Sequence, residues 1–383
     1  MTLERQPNEQ RGWAPELGIS RTRAELDLRR DPVLLSAIAQ VAPGTALRQA
    51  IDDVIRSKEG ALIVIGDPEE LSFLYSGGMK LDLAFTPQLV YEVAKMDGAI
   101  IVNADLTKLA YANVQLMPDP TIASSETGTR HRTAERVAKQ TAALVISISQ
   151  QRETVTVFLG PLRYQLEPVA DVLAKTNQAL ATLETYRQRL DHVLTRLTAL
   201  EFQNAVVLDD VLVVLQRAEL TTRMAEEIER ACVELGSEGR MIRMQLEELV
   251  GEVPREKAAV VFDYHAAGGV DATREGLQAL SELAYKDLLE FELLAVLGYP
   301  ATTNPLDHSV TPRGYRVLSH VPRLPDSVIR HVVDEFSSLE SIVRASQRDL
   351  EAVDGVGAVR AREIREGLRR LQEHNLVDRY LQL

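Results

Sequence analysis

Cysteine is almost absent from the sequence, since Cys232 is the only one among 383 residues. A single cysteine cannot form a disulfide within the chain, so folding depends on core packing, which fits a reducing cytosol. No apolar run approaches the roughly 20 residues of a membrane span. The first thirty residues are polar and arginine-rich and lack the apolar core of a secretory signal. These absences predict a cytoplasmic protein that does not bind a membrane.

Several common catalytic motifs are also missing. The N-terminal part contains no Walker-type loop, no GxGxxG, no paired CxxC and no H-E-x-x-H. The formal net charge of −13 disfavours nucleic acid as a general partner. The charge is unevenly distributed, however, because residues 313–383 contain 12 arginines, no lysine and 11 acidic residues. Any contact with DNA is therefore expected near the C-terminus, where the acidic remainder of the chain does not repel phosphate.

The chain is long enough for two or three domains, and its patterning divides it into four segments. Residues 1–30 are predicted to be a flexible extension. Residues 31–161 alternate helix-like stretches with β-rich runs at 61–66, 99–102, 144–149 and 154–159, which predicts an α/β domain with ligand-binding loops at its strand ends. Residues 162–312 are predicted to be helical, with a proline-rich linker at 298–313, and residues 313–383 form a further helical domain.

Two series of mostly apolar positions repeat every seven residues after Pro168. They are 169, 176, 183, 190 and 197, and 172, 179, 186, 193 and 200. Such a seam predicts one long helix that packs on another helix of the chain or on a sister subunit. A helical core within the chain and a spine that joins subunits both fit the pattern. Further helices are predicted at 211–235, 241–250 and 276–297.

The C-terminal segment contains the turn Gly355-Val356-Gly357, followed by a helix predicted at 362–373. Glycines in such a turn permit positive φ and leave backbone N–H groups uncovered, which can bind a phosphate without reading a base. Arg360, Arg362 and Arg365 favour this function over a purely structural turn. The turn is similar to the helix-hairpin-helix motif of DNA repair proteins. Residues 321–325 form a degenerate first copy, expected to be structural because prolines remove its N–H donors.

The first candidate site is Asp97-Gly98-Ala99, at the entry to a predicted strand. Asp-Gly is a common turn dipeptide, so a structural role alone would explain it. In a functional interpretation, the carboxylate holds Mg²⁺ or Mn²⁺ close to an attacking hydroxyl, and Gly98 lets a purine or ribose approach the backbone.

The second candidate site is the run Thr129-Arg130-His131-Arg132-Thr133, at the start of a predicted helix. Arginine is unfavourable there, because the helix dipole already makes this end positive. The run has no local acidic partner before Glu135. An anionic ligand such as a triphosphate would resolve the conflict, and a solvated basic face paired across the fold is the alternative.

Together these two motifs resemble the signature of the diadenylate cyclase domain. With a helical middle region and a terminal helix-hairpin-helix, the chain resembles the DisA family over nearly its whole length. The resemblance implies a multidomain α/β and all-α protein, with an N-terminal mixed-sheet cyclase domain, a central helical spine and a C-terminal helix-hairpin-helix domain. The implied reaction converts two ATP into cyclic di-AMP and two pyrophosphates.

The resemblance also implies a role for each matching residue. Asp97 would bind Mg²⁺ or Mn²⁺ and help to activate the ribose 3′-hydroxyl, so that it belongs with Arg130, His131 and Arg132 to the catalytic set. The nucleotide-binding residues would be Gly98, Ala99, Leu116, Thr129, Arg130, His131, Arg132, Thr133 and Ser149. The DNA-binding residues would be Gly355, Val356, Gly357, Arg360 and Arg362.

Finally, the resemblance implies partners and an assembly. Each 3′-hydroxyl must attack the α-phosphate of the other ATP, so two cyclase domains must face each other, within a homo-octamer joined by its spine. The helix-hairpin-helix would bind branched DNA such as Holliday junctions, placing the protein at the nucleoid and lowering cyclase activity. A non-enzymatic protein that binds DNA junctions and a sensor that binds cyclic dinucleotide remain as alternatives.

Overall fold

The computed structural model describes residues 31–289 and 293–381, and the side chains of 31–288 and 293–373. The predicted extension, residues 1–30, lies outside them. The described chain divides into two compact units. We call residues 31–180 with 227–246 the sheet unit, and residues 181–226 with 247–381 the helical unit.

The sheet unit contains one mixed sheet. Its strands are β1 (Leu62–Ile65), β2 (Tyr75–Ser76), β3 (Met79–Ala84), β4 (Ala99–Val102), β5 (Lys108–Leu116), β6 (Leu144–Ile148), β7 (Val155–Leu159) and β8 (Leu162–Gln165). The order across the sheet is β2-β5-β4-β1-β6-β7-β8, and β3 also pairs with β5. Strands β1 and β4 are parallel, whereas the other pairs are antiparallel. The predicted mixed-sheet α/β domain is confirmed.

Helices cover both faces of the central strands, which explains why β1, β4 and β6 are buried along their whole length. Alternate side chains of a strand point to opposite faces. Ile63 and Ile65 belong to the core formed with α1 (Pro32–Gln40), α2 (Ala46–Arg56) and α3 (Pro87–Ala94). Leu62 and Val64 belong to the core formed with α4 (Thr129–Gln140).

The ends of several strands meet at one end of the sheet. In the register of β1 with β4, Ile63 is opposite Ile100, so Gly60 is opposite Asp97. In the register of β1 with β6, Leu62 is opposite Ser147, so Gly60 is also opposite Ser149. We call this the Gly60 end of the sheet. Helix α4 runs back toward the start of β6, so its first residues also lie toward this end.

The helical unit is built around long helices. The helices that follow α4 are α5 (Val169–Gln203), α6 (Leu208–Leu235), α7 (Arg240–Val250), α8 (Val253–Tyr264), α9 (Gly269–Glu282), α10 (Leu293–Val296), α11 (Tyr315–Ser319), α12 (Asp326–Phe336), α13 (Leu339–Arg344), α14 (Gln347–Glu351) and α15 (Ala358–Leu381). Helix α5 begins in the sheet unit and ends in the helical unit, and α6 returns from the helical unit to the sheet unit.

The heptad seam lies on α5, and the prediction of one long helix is confirmed. Positions 176, 183, 190 and 197 of the first series are buried within this chain, whereas 179, 186, 193 and 200 of the second are half-buried. Burial of the first series supports its role in the helical core. A role for the spine in joining subunits stays a prediction.

The predicted helix at 276–297 is wrong. The structure has α9 from Gly269 to Glu282, a single 3₁₀ turn at Asp287–Leu289 and the short α10. Helix α9 ends at Glu282, and the following Leu283 has a non-helical backbone, with ψ of 136°.

A network of buried charges ties α11 to α5 and α8. The fully buried Arg316 pairs with the carboxylates of Glu201 and Glu256, and His320 Nε2 lies 2.7 Å from Glu256 Oε1. The Asp263 carboxylate accepts hydrogen bonds from the backbone N–H groups of residues 315 and 316, at 2.8 and 2.9 Å. The start of α11 is therefore held by ionic contacts as well as by apolar packing.

Two turns in the C-terminal part each contain a residue with positive φ. The turn between α11 and α12 has Arg323 at φ 64°, and the turn between α14 and α15 has Gly355 at φ 79°. Two positions before each of these residues lies a buried valine, Val321 or Val353. The segment predicted to be a degenerate copy therefore has a residue with positive φ two positions after a buried valine, as the glycine turn does.

Candidate active site at the Gly60 end of the sheet

Asp97 lies in the turn between α3 and β4, where its side chain is exposed. The next residue, Gly98, has φ of 116°, and a Cβ placed on it would lie 2.8 Å from the backbone carbonyl carbon of Asn113. Only glycine fits this close approach to β5. Ala99 is the first residue of β4, and its side chain is buried against the α4 face. Any contact of Ala99 with a ligand must therefore use its backbone.

The second motif forms the first turn of α4, as predicted. Gly128 is the N-cap residue and provides no side-chain cap, so the first N–H groups of the helix are open to a ligand. Thr129 and Arg132 are exposed, whereas Arg130 and His131 are half-buried. Thr133 Oγ1 donates a hydrogen bond to the Thr129 carbonyl at 3.0 Å, which turns this hydroxyl back onto its own helix.

The guanidinium of Arg130 lies directly against Gly60. A Cβ placed on Gly60 would lie 2.0 Å from Arg130 Nη1 and 3.1 Å from the carbonyl oxygen of Ile148. The absent side chain of Gly60 therefore makes room for a cation where β1 begins and β6 ends. The Arg130 side chain makes no ion pair or hydrogen bond with another described residue.

Leu116 and Ser149 lie at the same end. Pairing of Ala99 with Val114 continues to bring Leu116 level with Asp97, and Ser149 follows β6 directly. Ser149 Oγ accepts a hydrogen bond from the Arg152 backbone N–H at 3.3 Å. Neighbouring strands are about 4.8 Å apart, so roughly 10 Å separates the backbones of β4 and β6. A ligand as long as a nucleoside triphosphate can therefore reach both motifs.

The half-buried His131 is surrounded by charged groups. Burial lowers the pKa of its imidazole below the usual value, and the nearby Arg130, Arg163 and Arg152 lower it further, while Glu126 opposes this effect. The imidazole is therefore neutral at pH 7. Its ring also meets Phe158 edge to face, at 6.5 Å between centroids. A neutral ring can donate or accept one hydrogen bond without adding to the positive charge.

The expectation that this cluster has no acidic partner before Glu135 agrees with the ion pairs of the described residues, none of which joins a side chain of residues 129–133 to a carboxylate. Glu126, in the loop before α4, lies 2.5 Å from Arg163 Nε, and its backbone carbonyl accepts a hydrogen bond from Arg132 Nε at 3.3 Å. The buried Glu135 faces the same loop, where it accepts hydrogen bonds from Ser124 Oγ and the Ser125 N–H. The sequence does not show that Glu126 pairs with Arg163, because the two residues are distant along the chain.

Gly60, Arg152 and Arg163 also lie close to the first turn of α4, although the sequence did not predict them. A glycine directly before an apolar strand marks a close approach at a strand end, and this signal could have found Gly60. Arg152 lies in the turn after β6, and Arg163 is on β8. Neither belongs to a motif, and only the pairing of β6, β7 and β8 brings them near α4.

A metal ion at this site would depend on the substrate for most of its ligands. The described residues include no group of three or more His, Cys, Asp or Glu side chains that could hold a metal. Asp97 is an exposed single carboxylate. Mg²⁺ commonly binds through one or two carboxylates together with substrate phosphates, so the donor set fits such an ion bound with a nucleotide.

The C-terminal candidate residues are arranged around the glycine turn. Arg360 Nη1 donates a hydrogen bond to the Gly355 carbonyl at 2.6 Å, whereas Arg362 is exposed. A Cβ placed on Gly357 would meet nothing within 4 Å. Val356 is buried and its N–H donates to the Val353 carbonyl at 3.0 Å, so this N–H of the turn is already bonded within the chain.

Comparisons with known proteins match both parts of the chain. The family model described as DisA bacterial checkpoint controller nucleotide-binding matches residues 48–161, and the DisA bacterial checkpoint controller linker region matches residues 166–306. The chain is 49% identical to the DNA integrity scanning protein DisA of Carboxydothermus hydrogenoformans, over 90% of this chain and 98% of that protein. This chain belongs to the DisA family.

Other DisA relatives agree over the same length. Identity is 44% with the DNA integrity scanning protein DisA of Acetivibrio thermocellus, over 92% of this chain and 98% of the relative. It is 46% with that of Symbiobacterium thermophilum, over 90% of this chain and 97% of the relative. The matched nucleotide-binding region contains Gly60, Asp97 and the start of α4. None of the helices in residues 31–289 and 293–381 has the length and apolar character needed to cross a membrane.

Proposed function

We propose that this protein is a diadenylate cyclase that condenses two ATP molecules into cyclic di-AMP with release of two pyrophosphates. The observation that carries the proposal is the meeting of the Asp97 turn and the α4 start at the Gly60 end of one sheet. Membership of the DisA family supports the same activity.

The residues of α4 would bind the triphosphate. The N–H groups of the uncapped helix start and the guanidinium groups of Arg130 and Arg132 attract phosphate oxygens. The neutral His131 contributes a directional hydrogen bond. These groups act by positioning and by stabilising the negative charge that develops on the leaving pyrophosphate.

Asp97 would face the ribose and the α-phosphate. When bound, Mg²⁺ or Mn²⁺ supplies positive charge beside the phosphates, and Asp97 is the residue that would hold it. The 3′-oxygen of one ATP forms a bond to the α-phosphorus of the other, the bond to pyrophosphate breaks, and the hydroxyl proton passes to Asp97 or to solvent. The 3′-oxygen of the second ATP then forms a bond to the α-phosphorus of the first, the second pyrophosphate leaves, and the ring is closed.

One copy of the sheet unit has one Asp97 and one α4, which is half of what this reaction needs. Two copies must therefore face each other, and each must present its own ATP. We propose that a homo-octamer provides these pairs, and sedimentation of the full chain tests it. Specific activity should fall when dilution separates the pairs.

The cyclase proposal is tested with purified protein, ATP and either Mg²⁺ or Mn²⁺, with the product separated by chromatography. The wild type should form cyclic di-AMP, Asp97→Asn should abolish its formation, and Arg130→Ala should reduce it strongly while leaving a measurable rate. Asp105→Asn, in the exposed turn between β4 and β5, is the matched control and should keep activity. Absence of product with both metals would favour a nucleotide sensor or a non-enzymatic DNA-binding protein.

We further propose that the Gly355-Val356-Gly357 turn binds the phosphates of branched DNA such as Holliday junctions. The exposed Arg362 and the open space around Gly357 support this role. Gly357→Val should weaken binding of a four-way junction without disturbing the fold, because the new side chain enters open space. Binding should also fall with rising salt. Ala352→Val, at an exposed position of the same turn, is the control. Equal binding of the junction by both variants would mean that DNA contacts another part of the protein.

A further inference from the structure

Glu126 links strand β8 to the cationic start of α4, because its side chain contacts Arg163 and its backbone contacts Arg132. Its carboxylate lies 2.5 Å from Arg163 Nε, and its backbone carbonyl accepts a hydrogen bond from Arg132 Nε at 3.3 Å. Arg132 Nη2 donates a second bond to the Thr127 carbonyl, also at 3.3 Å. Two N–H groups of Arg132 are thus held by the loop. Three of the five guanidinium donors remain for a ligand.

The pairing of Glu126 with Arg163 spans a long stretch of chain. Arg163 lies on β8, whereas Glu126 lies in the loop that leads into α4. The pair is partly shielded, because the Glu126 side chain is 16% exposed and that of Arg163 is 43% exposed. It therefore fixes the backbone of residue 126, the same backbone whose carbonyl orients Arg132.

We propose that Glu126 and Arg163 are positioning residues for phosphate binding at the start of α4. Their ion pair fixes the loop carbonyls that orient Arg132, and neither side chain needs to touch the substrate. This inference rests on the cyclase function proposed above. If it is correct, strand β8, which is distant in sequence, controls the orientation of Arg132 at the start of α4.

The charges around His131 give this role a distinctive signature. The groups that act on the imidazole are Glu126 in the loop, Arg130 on α4, Arg152 in the turn after β6 and Arg163 on β8. Glu126 raises the pKa of His131 and Arg163 lowers it. Removing one partner also leaves the other charge uncompensated. Loss of Glu126 must therefore lower the pKa of His131, and loss of Arg163 must raise it.

The experiment compares Glu126→Gln, Arg163→Gln and the conservative Arg163→Lys in the full chain. Both glutamine variants should lose about tenfold in kcat/KM for ATP, because a misplaced binding group is costly even at a short distance. Arg163→Lys should recover most of the activity, since it keeps the charge. Hydrogen–deuterium exchange at the histidine C2 position, followed by mass spectrometry across pH, gives the pKa of His131.

The Arg48–Asp52 pair on α2 supplies a matched control. It also uses the arginine Nε, at 2.8 Å, with side chains 15% and 45% exposed. Asp52→Asn should change neither kcat/KM nor the pKa of His131. Shifts of that pKa in the same direction in both glutamine variants, or unchanged kinetics in both, would overturn the proposal. If the wild type forms no product, the cyclase function fails, while direct ATP binding and the His131 titration still decide whether the pair positions the helix start.

Discussion

Gly60→Ala should damage the candidate active site while leaving the fold nearly intact. A Cβ at this position would lie 2.0 Å from Arg130 Nη1, and ordinary contact begins near 3.4 Å. The guanidinium must therefore retreat by about 1.4 Å. It lies at the end of a flexible side chain, so the move costs little folding free energy.

The functional cost should be much larger. Displacing a positioned group by about 1 Å can reduce a rate on the order of a hundredfold, so we expect a loss in kcat/KM of that size. Stability should change by less than about 1 kcal/mol, because alanine also lowers the entropy of the unfolded chain. Initial rates of cyclic di-AMP formation and thermal unfolding measure the two effects.

Gly66→Ala is the matched control because Gly66 follows the other end of the same strand. Its new Cβ would meet Leu71 Cδ1 at 3.1 Å and Ala143 Cβ at 3.2 Å, both apolar atoms away from Arg130. This variant should lose some stability and keep its activity. The opposite pattern in the two alanine variants separates an effect on the site from an effect on the strand.

A double variant tests whether Gly60 acts through Arg130. If it does, Gly60→Ala combined with Arg130→Ala should be no less active than Arg130→Ala alone, since the group to be displaced is already gone. Losses that add in the double variant would refute the reasoning. So would a Gly60→Ala protein whose kcat/KM stays within about twofold of wild type, against the loss expected from displacement.

Two further predictions concern the helical unit. Arg316→Met should destabilise the helical unit by about 3–5 kcal/mol, because Glu201 and Glu256 would keep buried charges without their main partner. Denaturant unfolding measures this loss. The control is Arg274→Met, at an exposed position, which should have little effect. Burial and the nearby Glu201 raise the pKa of Asp263 to about 7, and the hydrogen bond to Glu256 raises that of His320. Both groups hold protons more tightly in the folded protein than in the unfolded chain, so the stability of this unit should fall as pH rises, between about 4 and 7 for Asp263 and above about 6.5 for His320. Hydrogen exchange of α11 should show the loss, and Asp263→Asn should reduce the slope; a slope unchanged in that variant would remove Asp263 as its source.

The sequence predicted the elements whose pattern is local and strong. The apolar runs of β1, β4, β6 and β7 and the heptad seam of α5 appear in the structure. Strands β3 and β5 were missed because they carry exposed or alternating side chains, with Lys80 and Lys108 among them. These strands depend on pairing with each other rather than on their own hydrophobicity.

The candidate site was predictable only in part, for a related reason. Asp97 and Arg130 could be predicted because each belongs to a contiguous motif. The register of β4, β1 and β6 places Asp97, Gly60 and Ser149 at the same end of the sheet. Gly60 and Arg163 carry no motif. Their importance comes from distances to α4 that only the fold sets, and a single sequence does not contain those distances in readable form.

The contrast between two arginines argues for an anionic ligand at the Gly60 end. Where the fold buries Arg316, it supplies Glu201 and Glu256 as counter-charges, which is what a buried guanidinium requires. Arg130 is half-buried at a helix start that is already positive, and among the described residues it has no such partner. The Glu126 carboxylate pairs with Arg163 instead. A chain that neutralises its structural cation and leaves this one unpaired has kept a position for the charge of a substrate, and phosphate meets that requirement.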